Sequence, residues 1–125
     1  MPRRIEADAT TLKVGERLRA LRLEHNMSLA QLAEAAGISK GHLSSVEHGL
    51  AAITVETIAR LARALETSPP CILTFPEEDE RAQIAELLRK MSTQDVTKLK
   101  RELTKTLKLA EKEAAKAAKA TAKGR

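Results

Sequence analysis

The 125-residue chain is expected to fold as an all-α protein, a compact five-helix domain followed by two C-terminal amphipathic helices. Three observations predict this. Apolar residues recur at spacings of three and four along most of the chain, the period of an amphipathic helix. Residues that start or stop helices, Ser28, Gly37, Ser39 and Thr54, stand at the edges of those stretches. One Phe and no Trp or Tyr leaves a core of Leu, Ile, Val and Ala, which suits helix packing. With 42% hydrophobic and 31% charged residues, the length supports one compact domain and an appendage.

Residues 1–11 read as a flexible N-terminal arm carrying Arg3 and Arg4. The first helix is expected from about Leu12 to Glu24, with Val14, Leu18 and Leu21 on its inner face and Arg22 beside them. Ser28 starts the second, with Gln31 placed to complete a capping box and Leu32, Ala33 and Ala36 on one side. Gly37 offers the left-handed residue that ends it, and Ser39 caps a third helix that turns Leu43 and Val46 inward. Thr54 opens the fourth, with Glu56 in its first turn and an apolar stripe of Val55, Ile58, Leu61, Ala62 and Leu65. After a break at Ser68-Pro69, Pro70–Phe75 make a brief fifth helix or turn that closes the domain, and Cys71 is a small core residue.

Beyond Pro76, the acids Glu77, Glu78, Asp79 and Glu80 suit a helix N-terminus. Ile84, Leu87, Leu88 and Met91 line one face up to a break at Ser92-Thr93, and Val96, Leu99, Leu103 and Leu107 line another helix beginning near Gln94. These stripes need a cover, either the chain's own body or the same helices of a second copy, and they are assigned to dimerisation. From Ala110 the composition becomes Ala/Lys-rich, a fraying helix or a cationic tail. The expected organisation is an arm over 1–11, a helix-turn-helix domain over 12–75, a helical interaction region over 76–109 and a basic tail over 110–125.

Two short helices joined at Gly37 within the 22 residues Ser28–Gly49 make an arrangement that lays its second helix in a DNA major groove. The segment resembles the lambda-repressor-like, Cro-type helix-turn-helix family (XRE family). The resemblance runs from about Val14 to Ser68 and rests on Ala33, Gly37-Ile38-Ser39 and Leu43-Ser44-Ser45-Val46-Glu47-His48-Gly49. It implies an ion pair between Arg22 and Glu47 that ties the first helix to the third. Geometry and resemblance together select Lys40, Gly41, His42 and Ser45 as groove-facing, with Ser39 at the cap and Ser44 near a phosphate. Ser28 and the N–H groups around Leu29 are placed to hold a phosphate at the positive end of the second helix. The chain departs from the family where Leu29 replaces a common Gln, and in the apolar loop Leu50-Ala51-Ala52-Ile53.

The net charge of +5 is uneven: residues 1–75 carry +1, 76–95 carry −3 and 96–125 carry +7. A nearly neutral reading domain needs help with phosphates from backbone N–H groups, a partner subunit or the basic tail. The scarcity of aromatics removes the stacking platforms used on single strands, so duplex DNA is the expected partner. His25, His42 and His48 have no partners at metal-ligand spacing, and neither metal nor other cofactor is expected. Nor is enzymatic activity: the region after Phe75 is too short and too charged for a hydrolase domain. No apolar run approaches a membrane span and the single Cys71 forms no internal disulfide, so a cytoplasmic, nucleoid-associated location is expected. The function expected is that of a sequence-specific transcriptional regulator, a homodimeric repressor. Two alternatives remain: an antitoxin-like protein whose C-terminal helices bind another protein, and an architectural DNA-binding protein that uses its tail.

Overall fold

A computed structural model describes residues 8–123, so Arg3 and Arg4 lie outside the described residues. Seven helices and no strand occur among them: α1 (Ala9–Glu24), α2 (Leu29–Ala36), α3 (Lys40–Glu47), α4 (Val55–Ala64), α5 (Pro69–Ile72), α6 (Glu80–Lys90) and α7 (Thr93–Lys123). The chain divides into two units after Arg89, the first holding α1–α5 with nearly all of α6, the second α7.

Local capping accounts for where the helices start. Asp8 Oδ2 accepts from the Thr11 N–H at 3.4 Å, which begins α1 three residues before Leu12 and takes residues 9–11 out of the expected arm. Thr54 Oγ1 accepts from the Thr57 N–H at 3.1 Å, Asp79 Oδ1 from Ala82 at 2.8 Å and Ser92 Oγ from Asp95 at 3.1 Å. Two helix ends were not marked by glycine: Asn26 (φ 54°) after α1 and Glu66 (φ 53°) after α4 take the left-handed conformation themselves.

Five helices close one core. Leu18 and Leu21 of α1, Leu32 of α2, Leu43 of α3, Leu61 of α4, Leu65 just after it and Ile72 of α5 are all buried, with Val14, Ala33, Ala36, Val46, Ile58, Ala62 and Cys71 beside them. Ala51, Ile53 and Phe75 pack at its edge, while Leu50 is exposed. Val55 departs from the expected stripe. It is 82% exposed, because it opens α4 ahead of the turn that reaches the core.

α6 joins the body rather than a separate region starting at residue 76, and charge explains why. Glu86 accepts from Arg17 Nη2 at 2.7 Å and from Arg89 Nη2 at 2.5 Å, and Arg89 also reaches Glu24 at 3.2 Å. Hydrogen bonds from Arg89 first and Arg17 second hold the Glu86 carboxyl down to about 2, against the opposing effect of its burial. Arg17 Nε donates in addition to the Cys71 carbonyl at 3.0 Å. Leu88 lines the groove that these groups share with α5, whereas Ile84 and Leu87 are exposed, so the four-residue stripe expected on α6 is split between body and solvent.

In the second unit, α7 is a single 31-residue helix. It crosses the expected boundary at residue 110 without interruption. Val96 and Leu99 are half-buried, and Leu103 and Leu107 are exposed.

Candidate nucleic-acid interface

The two short helices are oriented by their own caps and by the core. Ser28 Oγ accepts from the Gln31 N–H at 3.1 Å and the Ser28 N–H donates to Gln31 Oε1 at 2.7 Å, a complete capping box. Gly37 ends α2 at φ 70°, with its N–H on the Glu34 carbonyl and that of Ile38 on the Ala33 carbonyl. Ser39 Oγ then accepts from the His42 N–H at 3.0 Å and starts α3. Both cap hydroxyls keep their own hydrogen free to donate outward.

With Leu43 and Val46 buried, the rotation of α3 is set and its outer face is fixed. Lys40, Gly41 and His42 are exposed, and Ser44 and Ser45 are half-buried one turn later. At 3.6 residues per turn Gly41 and Ser45 fall in the middle of that face. No heavy atom stands within 4 Å of the place a Gly41 Cβ would take, so packing inside the chain does not require glycine there. The carbonyl of Ser44 accepts from His48 Nδ1 at 2.7 Å, and that of Leu21 from His25 Nδ1 at 2.9 Å, which fastens both rings to helix ends. The Leu29 side chain is half-buried against the core, which leaves its N–H as the group it can offer.

The far end of α3 is held to α1. Arg22 Nε and Nη2 donate to Glu47 Oε2 and Oε1, both at 3.0 Å, and Arg22 Nη1 donates to the Met27 carbonyl at 3.0 Å. The Glu47 side chain is only 4% exposed. A bidentate pair of this kind fixes direction as well as distance. It therefore sets the angle at which the outer face is presented.

Two contributors lie outside the residues expected at the site. Gly15 lies where α1 crosses α3, and a Cβ there would stand 2.4 Å from the Glu47 carbonyl oxygen and 2.6 Å from that of Val46. A glycine inside an otherwise regular apolar stripe is the signal that points to such close approach. Arg19 is exposed and lines a groove with Arg22, Leu29, Glu47 and His48, which adds a cation beside the N-terminus of α2. Nothing in the spacing of α1 distinguishes it from any other solvent-facing arginine.

The helix-turn-helix family model HTH_3 matches residues 18–70, ending within α5. The chain is similar to the control protein C.SmaI of Serratia marcescens, 39% identical over 61 residues that make up 49% of this chain and 73% of the relative. It is similar as well to the transcriptional regulator SinR of Bacillus licheniformis, 32% identical over 68 residues, 54% of this chain and 61% of that protein. Among solved structures, the restriction-modification controller protein C.AhdI from Aeromonas hydrophila superposes with a TM-score of 0.52 at 32% identity, covering 52% of this chain and 98% of that one.

Proposed function

Because this chain belongs to the XRE-type helix-turn-helix (HTH_3) family of DNA-binding transcriptional regulators, we propose that it is a homodimeric repressor of an inverted-repeat operator. The observation that carries the reading is the outer face of α3. Lys40, Gly41 and His42 on it are exposed, it begins at a capped N-terminus, and the Arg22–Glu47 clamp holds its direction. Lys40 reaches a guanine edge, His42 and Ser45 contact bases or phosphates, and Gly41 lets the backbone come close. Phosphates are held by Ser28, Ser39, Ser44, the Leu29 N–H and Arg19. The chain acts in the cytoplasm by occupying a promoter, without catalysis or a cofactor.

Selection of binding sites from random duplex DNA is expected to return inverted half-sites centred about one helical turn apart, or a multiple of it. On the selected site, Lys40→Ala weakens binding by about 1–3 kcal/mol and leaves the melting temperature unchanged, because the side chain is exposed. Unpaired half-sites, or unaltered affinity, would sink the assignment of dimer or of Lys40 respectively.

Dimer-seam contacts are proposed for each unit by itself: the exposed Ile84 and Leu87 in the first, and in the second the apolar stripe of Met91, Val96, Leu99, Leu103 and Leu107. Within it Leu103 and Leu107 are 55% and 61% exposed and one turn apart. Replacing both with Glu puts charge into an apolar contact and is expected to abolish association while the body still folds. Light scattering decides the matter. A mass unchanged from the wild-type dimer would exclude this part of α7 from the seam, and a wild-type monomer that gains mass only with a second protein would favour the partner-binding alternative.

A further inference from the structure

The whole formal charge of the chain resides on α7. That helix carries nine basic and four acidic side chains, net +5, while the rest of the chain carries thirteen of each. Their placement is one-sided. At 100° per residue, every basic residue from Lys98 to Lys123 except Lys100 falls within a sector of about 80°. Asp95, Glu102, Glu111 and Glu113 all fall outside it. The sector lies opposite the stripe that starts at Val96, Leu103 and Leu107 and continues through Ala110 and Ala114. The eight cations recur once per turn, roughly every 5.4 Å along about 37 Å of helix, and all are exposed.

Such a ridge works against an isolated helix. Like charges three and four residues apart repel one another; acids at that spacing relieve Lys98, Lys105, Lys108 and Lys116 but leave Arg101, Lys112, Lys119 and Lys123 unrelieved. A linear row of cations fits an extended polyanion, whereas a small anion would call for donors converging on a pocket. We infer that this ridge of α7 is a docking surface for the phosphates of duplex DNA, separate from the outer face of α3 and indifferent to sequence. The inference rests on the reading of the chain as a DNA-binding protein. Two features favour duplex DNA over other polyanionic surfaces. α7 has no aromatic residue on which single-stranded bases could stack, and its apolar face shrinks to alanine after Leu109, which gives a lipid surface little to bury. The ridge and the proposed seam use opposite sides of the helix, so a dimer would leave both ridges open.

The test compares the intact chain with two variants of equal charge, Lys112→Gln/Lys116→Gln/Lys119→Gln on the ridge and Arg63→Gln/Arg81→Gln/Lys90→Gln away from it. Fluorescence anisotropy on a random-sequence duplex and on the selected operator is recorded over a salt series, with circular dichroism to verify that helix content is kept. For the ridge variant the dependence of log affinity on log salt is expected to become shallower on both duplexes by about 0.9 per lost contact, up to about 2.7 in all. The off-ridge variant should keep the slope of the intact chain. Equal changes in both variants, or no change in either, overturn the ridge. If the intact chain still binds its operator in that case, the regulator reading survives; if the intact chain binds no duplex at all, both fall. Loss of binding to phosphatidylserine vesicles by the ridge variant, with its DNA slope unchanged, would overturn the DNA assignment in favour of a membrane surface.

Discussion

Glu47→Ala is expected to lower the stability of the body by about 3 kcal/mol, among the largest effects of any single change that leaves the apolar core intact. The Arg22 side chain is 13% exposed and loses two hydrogen bonds of 3.0 Å, keeping only the one to the Met27 carbonyl. A positive charge left under-solvated in this way costs more than the pair contributes as a whole. Glu47→Gln separates charge from hydrogen bonding: its amide oxygen still accepts from Arg22, and a loss of about half the size is expected. Denaturant melts of the two variants check this. An Ala variant within about 0.5 kcal/mol of wild type would mean that water replaces the carboxylate at no cost. DNA affinity should fall in step with the folded fraction, since Glu47 faces α1 and not the outer side of α3.

Gly15→Ala is expected to destabilise the body by about 2–3 kcal/mol, although alanine in a helix interior is ordinarily worth about 1 kcal/mol more than glycine. The atoms in the way are backbone: the carbonyl oxygens of Glu47 and Val46 at 2.4 and 2.6 Å and the Glu47 carbonyl carbon at 2.8 Å. No rotamer change relieves them, so α1 and α3 must move apart. That movement also pulls on the Arg22–Glu47 pair. Gly41→Ala is the matched control, because nothing stands within 4 Å of the added Cβ and the sign should reverse to a gain of up to about 1 kcal/mol. Thermal melts showing Gly15→Ala as stable as Gly41→Ala would refute the close crossing of α1 and α3. On DNA the control is informative too: its new methyl occupies the middle of the proposed groove-facing surface, and weaker operator binding by a more stable protein would mark direct approach.

Much of the candidate site was legible because its construction is local. Ser28, Gln31, Gly37 and Ser39 act on groups no more than four residues away, so their spacing alone announces two helices and the turn between them. The inward positions of Leu32, Leu43 and Val46 follow from the same period, and with them the outward positions of Lys40, Gly41 and His42. The Arg22–Glu47 pair came from resemblance rather than from spacing, since the two residues stand 25 apart. Arg19 could not be singled out, because its place beside α2 depends on how α1 crosses the turn.

The helical class, the caps, the apolar core of α1–α5 and the charge imbalance between body and C-terminus depend on composition or on groups a turn apart, and can be read along the chain. Closure of the chain set the rest. It placed Gly15 against the carbonyls of α3, left Val55 in solvent, and drew α6 onto the body through Arg17–Glu86 and Arg89–Glu24, contacts 69 and 65 residues apart. An ion pair over that separation has no periodicity to betray it. An arginine that holds a distant helix and one that faces water look alike until the chain has closed.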